Sequence, residues 1–489
     1  MKQCTIVIRD EVNIKIEGLD LDCRKALVTA FKYENPAARY LPAVRLGRWD
    51  GKIAYFQLGG STYVNLLPEI MPILDKFDYS PVLDDQREYA TVFDFAAVAE
   101  NHYSHVLWPR THPAAGQPMV LRDYQVEIIN QFLTNPQCIQ EVATGAGKTI
   151  ITAALSDAVS AYGRSIVIVP NKSLVTQTEQ DYINMGLDVG VYFGDRKEYN
   201  RQHTICTWQS LNNMMKLTKT GEAEITIHEF IQDVVCVIVD EVHMAKADAL
   251  KTLLTGAMSQ IPLRWGLTGT VPKELFESQA LLVSLGPVVS RLSASTLQDA
   301  GVLAQCHVNI VQLVDHVEYK DYQSELKYLL EESGRLDTMA ELIRRVNETG
   351  NTLVLVDRTE CGRQLVERLG DKAVFVSGAT KAKARQDEYN QVADATDKII
   401  VATYGVAAVG INIPRIFNLV LVEPGKSFVR VIQSIGRGIR KAEDKDHVEI
   451  WDITSTCKFA KRHLTKRKAF YKEANYPFSA EKLEWMKIK

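Results

Sequence analysis

Cysteine pairs are the first thing missing. The chain has 489 residues and eight cysteines (Cys4, Cys23, Cys138, Cys206, Cys236, Cys306, Cys361 and Cys457), none in a Cys-x-x-Cys pair. That spacing excludes a zinc ribbon and a four-cysteine iron–sulfur cluster, and it suits the reduced thiols of a cytoplasmic protein. Long apolar runs are missing too: no stretch of 18 apolar residues occurs, and MKQCTIVIRDEV places charges where an export signal would be apolar. Neither a membrane partner nor a leader is expected. Net charge is also scarce, at −3 from 57 Lys+Arg against 60 Asp+Glu, so no global basic field points to a polyanion. Charge is concentrated locally instead. From Gly425 onward there are 16 Lys+Arg and 8 Asp+Glu, densest in CKFAKRHLTKRKAFYKE, a run that suits either a solvated helix face or phosphate contact.

Length predicts about three domains. Residues 1–85 open with two alternating strand candidates, CTIVIRD and VNIKIEG. A helical stretch, LDCRKALVTAFKYE, follows, then AVRLGRWDGKIAYF, in which Asp50-Gly51 suits a hairpin turn. This reads as a small α+β domain. Residues 86–120, rich in proline and histidine, read as a connector. From Leu121 short Val/Ile runs alternate with helical stretches: SIVIVP, TICTW, VVCVIVDE and RWGLTGT. After a break near 290–300 come CHVNIVQLV, NTLVLVD, AVFVSG, KIIVATY, FNLVLVE and VEIWDI. Such runs predict buried parallel strands, hence two successive α/β domains at 121–295 and 296–457, with a basic helical extension at 458–489.

The chemistry gathers at strand ends. ATGAGKT (Ala143 to Thr149) lies between an apolar segment and a helical run, the strand-loop-helix setting of a phosphate loop. There the amides of Thr144, Gly145, Ala146 and Gly147 can cradle phosphates, Lys148 can reach them, and the Thr149 hydroxyl can take Mg²⁺. The generic pattern has a glycine where Val142 stands. DEVH (Asp240 to His243) ends another apolar run. Two carboxylates there are costly unless they manage a metal or a proton: Asp240 suits Mg²⁺, and Glu241 suits polarisation of the attacking water. LRDYQ stands about 20 residues before the phosphate loop, and its Gln125 offers the donors and acceptor an adenine edge wants, though alone it reads equally as an ordinary surface amide. TWQSL and LTGT place hydroxyls and an amide just beyond strand ends and, taken singly, are ordinary capping chemistry.

In series, LRDYQ, GAGKT, VPNKSL, TWQSL, DEVH, LTGT, VSGAT, VATYGVAAVGINIP and QSIGRGIR resemble the ordered motifs of superfamily 2 helicases of the DExH type, over about residues 120–455. The resemblance implies two tandem RecA-like parallel-sheet motor domains. It makes Gln125 the adenine reader, Lys148 and Thr149 the phosphate and metal contacts, and Gly410 the approach of the second domain to the γ-phosphate. His243, Thr268, Thr270 and Gln433 become the coupling layer. Pro170, Thr207, Gln209, Ser210, Ser377, Gly378 and Thr403 become backbone contacts to nucleic acid. Arg437 and Arg440 fall in the arginine-finger motif, so the resemblance implies an ATP site completed only when the domains close. Asn412 stands where the family often has Asp.

AVRLGRWDGKIAYF and the later TYVNLLPEIMPILDKFDY resemble the accessory domain of the phage UvsW branched-DNA helicases. The implied protein is an ATP- and Mg²⁺-dependent 3′→5′ DNA helicase; the separated cysteines set the expectation of a cytoplasmic location, and a monomer is expected without any motif that fixes the oligomeric state. Its implied partners are single-stranded and branched DNA, with RNA only in RNA–DNA hybrids. Arg45, Arg48, Trp49, Lys52 and Tyr55 bring cations and aromatics together, which suits either phosphate contact with base stacking or a packed tryptophan among solubilising charges. Asp50-Gly51-Lys52 superficially matches a nuclease D-x-K, with no second carboxylate in the preceding 15 residues. An RNA helicase, or a binding module with a vestigial ATP site, remain the alternatives.

Overall fold

The computed structural model describes residues 2–36, 38–87, 92–109, 114–242, 247–272, 274–377, 395–406, 415–425 and 445–485. His243, Gly378, Gly410, Gln433, Arg437 and Arg440 lie outside the described residues. The chain divides into two compact units, one of Met1–Val142 with Gly147–Arg291 and one of Ala143–Ala146 with Leu292–Lys489.

The first unit opens with β1 (Lys2–Ile8) and β2 (Asn13–Glu17), an antiparallel pair whose alternating apolar residues fill one face. α1 (Leu21–Ala30) starts at Asp20, whose carboxylate accepts the Cys23 N–H. Then follow β3 (Lys32–Glu34), α2 (Pro42–Arg45), β4 (Lys52–Ala54), β5 (Ser61–Tyr63), α3 (Leu67–Lys76) and β6 (Tyr79–Asp85). The strands form a four-stranded sheet, β5-β2-β1-β6, and a separate β3-β4 pair. Two expectations need correction. KYE, read as the end of a helix, is β3. AVRLGRWDGKIAYF is not a hairpin turning at Asp50-Gly51: Pro42, with its fixed φ at the first helical position, opens a helical turn instead, and only KIA is strand.

The same unit continues through α4 (Asp123–Thr134), β7 (Gln137–Val142), α5 (Lys148–Val159), β8 (Arg164–Val169), α6 (Lys172–Asn184), β9 (Val189–Phe193), β10 (Arg196–Lys197) and β11 (His203–Thr207). It ends with α7 (Trp208–Thr220), α8 (Ile227–Phe230), β12 (Val234–Val239), α9 (Ala247–Thr255), β13 (Leu263–Thr268), α10 (Leu275–Leu285) and β14 (Val288–Leu292). The sheet order is β10-β9-β11-β8-β12-β13-β7-β14. β9, β11, β8, β12, β13 and β7 pair in parallel, as continuous Val/Ile runs require.

The N-terminal block packs on this sheet's lower edge. Val283 of α10 belongs to the block's own core, with Leu282 packed against it. Gln137, the first residue of β7, donates to the Glu11 carbonyl at 2.7 Å and accepts from Asn65 at 2.8 Å; Asn13 donates to the Thr255 carbonyl at 2.9 Å. Residues 92–109 and 114–120 strap the same unit without regular structure. Phe93 and Phe95 each pack 5.2 Å from Tyr162, and Tyr103 donates to Asp157 at 3.0 Å.

The second unit contains α11 (Ala294–Asp299), β15 (Gln305–Leu313), α12 (Tyr322–Glu331), α13 (Ser333–Asn347), β16 (Thr352–Val356), α14 (Thr359–Leu369), β17 (Ala373–Val376) and β18 (Ile399–Thr403). β19 (Asn418–Val422), β20 (His447–Ser455), α15 (Lys458–Glu473) and β21 (Phe478–Leu483) complete it. Seven parallel strands run β17-β18-β16-β19-β20-β15-β21. Residues 458–489, expected as a helical extension, instead include β21, which pairs along β15 and completes the sheet.

Candidate functional site

β12 runs between β8 and β13, buried except at Val235, and delivers Asp240 and Glu241 at its C-terminal end. Asp240 is held by its own N–H, which donates to the Ile168 carbonyl at 2.9 Å. Its Oδ1 accepts the Glu241 N–H at 2.8 Å. Glu241 adopts φ +50°, a left-handed conformation rare outside glycine, so the turn after β12 stores strain at the carboxylate. The phosphate loop turns through Gly145 (φ +92°) and Gly147 (φ +85°), and Lys148 opens α5.

Lys148 and Glu241 meet: Nζ lies 3.0 Å from Oε1, with both side chains about nine-tenths buried. Nζ also donates to the Val142 carbonyl at 3.4 Å, and Glu241 Oε2 accepts from the Gly269 N–H at 3.5 Å. Burial, and then the Glu241 charge beside it, push the Asp240 carboxyl up to about 7, against the pull of Lys148. Two buried carboxylates with one ammonium are short of positive charge, and that shortage fits a divalent cation. Mg²⁺ commonly takes one or two protein carboxylates and fills its remaining positions with phosphate and water. Among the described residues no cluster of three or more acidic, His or Cys side chains offers an all-protein metal cage, and the Thr149 hydroxyl makes no protein hydrogen bond.

Gln125 is nearly buried on the first turn of α4, where its Oε1 accepts the Arg122 N–H at 2.9 Å. Its Nε2 lies 2.5 Å from where a Cβ on Gly147 would stand, so any side chain there would displace the Gln125 amide; it is the φ of +85° that calls for glycine. Thr268 donates to the Thr270 carbonyl at 2.8 Å and accepts the Thr270 N–H at 3.2 Å; both are buried at the end of β13.

Pro170 follows β8 and Thr207 ends β11, neighbouring parallel strands. Gln209 donates to the Pro170 carbonyl at 3.3 Å, and the Thr207 and Ser210 hydroxyls lie 2.9 Å apart, so the four residues meet at the strand ends; Gln209 is exposed and Ser210 partly so, whereas Pro170 and Thr207 are buried, with the Thr207 hydroxyl capping α7. In the second unit Val376 pairs with Ala402, which brings Ser377 and Thr403 to the same edge.

Arg45 and Arg48 are exposed. Trp49 is half-buried, outside the apolar core, and donates to the Lys52 carbonyl at 2.9 Å. Tyr55 is the exception in that group. It is 1% exposed, packed 5.6 Å from Tyr33, with Lys251 over its ring, so it belongs to the core. Asp50 is occupied by Lys32 at 2.6 Å and by the Lys52 N–H, leaving the D-x-K reading without a metal site.

In the second unit sequence reasoning missed two buried arginines. Arg335 joins Asp315 to Glu423, which itself adopts φ +42°; Arg467 grips both Asp452 oxygens through Nε and one terminal nitrogen, and its other terminal nitrogen donates to the Gly425 carbonyl at 2.7 Å. Both fix the backbone just before residue 426. Arg467 was legible, because it shares the i, i+4, i+7, i+11 stripe of Ala460, Leu464 and Tyr471 that α15 buries.

Residues 118–273 match the family described as "Type III restriction enzyme, res subunit", and residues 334–442 match "Helicase conserved C-terminal domain". The chain is 23% identical over 481 residues to "ATP-dependent DNA helicase uvsW" of Enterobacteria phage T4, an alignment spanning 93% of this chain and 92% of that protein. It is 23% identical over 371 residues to "DNA 3'-5' helicase XPB" of Kineococcus radiotolerans, covering 73% of this chain and 64% of that one. Among solved structures, a fragment of a putative HsdR subunit of a type I restriction enzyme from Vibrio vulnificus YJ016 superposes with TM-score 0.57. That structure is 17% identical and covers 74% of this chain and 69% of its own. With phosphate-loop lysine and strand-end carboxylates converging in the first unit, and helicase matches on both halves of the motor, the chain is an ATP-dependent superfamily 2 helicase resembling phage UvsW.

Proposed function

We propose that this helicase acts on branched DNA, such as forks, four-way junctions, D-loops and R-loops, using ATP and Mg²⁺ in recombination, repair and replication restart. The observation that carries the motor reading is the Lys148, Asp240 and Glu241 cluster at the end of β12. The branched-DNA reading is supported by the reach of the T4 relative's alignment, 93% of the chain, which takes in the accessory block as well as the motor.

In this reading Lys148 leaves Glu241 for the β- and γ-phosphates, as the amides of Thr144 to Gly147 receive the phosphate oxygens. Freed of its ammonium, the Glu241 carboxylate orients and polarises the attacking water. Asp240 and Thr149 are the residues that would hold Mg²⁺, which would supply charge neutralisation on the phosphates. Water adds to the γ-phosphorus, the bond to the β-phosphate oxygen breaks, and ADP and phosphate result. Arg437 and Arg440 add positive charge at the γ-phosphate; Gln125 reads adenine. Pro170, Thr207, Gln209, Ser210, Ser377 and Thr403 hold the sugar-phosphate backbone of the tracked strand, and Arg45, Arg48 and Trp49 contact the branch.

The test is ATP-dependent processing of a matched panel: linear duplex, fork, four-way junction and R-loop, with an all-RNA fork beside them. Faster turnover on the branched DNA members is expected, abolished by Lys148→Ala. Preference for the RNA fork, or equal rates on linear and branched DNA, would overturn the reading.

A further inference from the structure

The densest charge in the chain is the one the motor leaves unused. α15, KFAKRHLTKRKAFYKE, carries seven Lys or Arg and one Glu in a protein whose net charge is −3. One of the seven, Arg467, is buried on Asp452 and is structural. The other six, Lys458, Lys461, Arg462, Lys466, Lys468 and Lys472, form no ion pair with any described residue, and all but the half-exposed Lys468 are exposed.

Helix physics disfavours this placement. Lys458/Arg462, Arg462/Lys466 and Lys468/Lys472 are like-charge pairs at i, i+4, each unfavourable by roughly 0.2–0.5 kcal/mol, and the first three cations sit in the opening turns against the helix dipole. The helix is held in spite of them. Its first amides, Phe459 N–H and Ala460 N–H, donate to the buried Glu325 carboxylate at 3.1 and 2.8 Å, and its inner stripe of Ala460, Leu464, Arg467 and Tyr471 is buried. With Glu325 filling the N-terminus, the charge available to a ligand is on the outward face.

We infer that this face is a second nucleic-acid surface, which binds the phosphate backbone of a duplex DNA arm. The inference rests on the DNA reading above. From Lys458 to Lys472 the helix rises about 21 Å, which spans about six base-pair steps at roughly 3.4 Å each, so its cations run along more than half a turn of phosphate backbone. A convex helix with evenly spread cations suits the regular phosphate row of a duplex. A single strand calls for a groove with stacking rings along its length. Placement agrees. α15 begins where β20 ends, at the same strand-end edge as Thr403, and the order β18-β16-β19-β20 sets the two about 15 Å apart across the sheet. A strand held near Thr403 therefore has its duplex arm within reach of α15.

The test uses the full chain with Lys461, Arg462, Lys466 and Lys472 all replaced by Gln, and a companion with the three lysines replaced by Arg. Binding to a blunt 20-base-pair duplex and to a 20-nucleotide single strand is measured from 50 to 200 mM salt, without nucleotide. Loss of four phosphate contacts lowers the slope of log K against log[salt] by about 3.6 on duplex, so the wild-type protein loses about 10²-fold more affinity over that range than the Gln variant. The Arg companion keeps the wild-type slope, and unfolding of the Gln variant at or above the wild-type temperature shows that the helix stands. An unchanged duplex slope, or an equal fall on single strands, overturns the inference. If the wild-type protein processes no DNA member of the panel, it is the proposed function that fails.

Discussion

Replacing Lys148 with Met should destabilise the first unit in a pH-dependent way, and the size of the effect follows from the site. Lys148 Nζ is 3.0 Å from Glu241 Oε1, with the two side chains 9% and 11% exposed, and Asp240 stands beside them. Removing one member of a buried pair costs roughly 3–5 kcal/mol when the other must stay charged. Glu241 can avoid that by taking a proton, at about 1.4 kcal/mol for each pH unit above its unfolded value near 4.3. At pH 5.5 the escape costs about 1.6 kcal/mol and caps the loss there. At pH 8 protonation would cost about 5 kcal/mol, so the full penalty of the unpaired charge is felt. The sign follows: a carboxyl whose folded pKa is raised binds a proton that the unfolded chain does not, and its stability contribution falls as pH rises above the unfolded value. The difference between wild type and Lys148→Met should therefore widen by roughly 1.4–3.4 kcal/mol between pH 5.5 and 8, read by chemical denaturation of both proteins at each pH, with ATPase lost at both. A gap that stays constant with pH, or a variant as stable as wild type at pH 8, would refute the account of Lys148 as the charge that lets Glu241 stay ionised.

Asp240 gives a second pH signature. With its carboxyl pushed up to about 7, binding of Mg²⁺ with a non-hydrolysable ATP analogue should release close to one proton at pH 6 and almost none at pH 8, measured calorimetrically in buffers of different ionisation heat; equal release at both would remove Asp240 as the metal's carboxylate. Arg437→Ala should leave ATP binding near the wild-type level and slow hydrolysis about 10³-fold or more, and equal loss of both would make the arginine structural. Arg45→Gln with Arg48→Gln should lower the salt slope for fork binding by about 2 without moving the unfolding temperature, since neither side chain enters the core; an unchanged slope removes the block from the DNA path.

How much was legible divides along physical lines. Every Val/Ile run from SIVIVP to VEIWDI is a strand, because a parallel strand covered on both faces must be apolar throughout and so announces itself. In the N-terminal block β5 and β6 were not read and β3 was taken as helix; in the motor β9, β10, β14 and β21 were not read. β10 is two residues, and β21, FSAEKL, lies at the sheet edge with most of its side chains exposed, so neither carries the apolar signature. The phosphate loop and DEVH were legible because glycine turns and strand-end carboxylates are spelled locally. What brings Lys148 to Glu241 is the parallel pairing of β12 with β8 and β13, which no local pattern contains. Arg335 escaped for the same reason: its partners Asp315 and Glu423 are distant in sequence and meet only through strand order.

The accessory block changes what its own role can be. Read from sequence it is a separable domain, and its removal should leave the motor intact. Its core includes Val283, however, and Gln137 exchanges hydrogen bonds with both Glu11 and Asn65, so removing residues 1–85 would bare apolar surface on α10 and strand polar groups at the start of β7. Deletion therefore tests folding before it tests function. The contacts also fix distance. They lie at the beginning of β7, whereas the phosphate loop follows its end, and six residues of strand separate them by about 20 Å. The block cannot touch nucleotide from there. Being packed on the motor sheet rather than tethered to it, it would instead carry any force on Arg45 or Arg48 directly into the body that bears Lys148, so substitutions in it should alter how much DNA is processed per ATP while leaving the hydrolysis step itself unchanged.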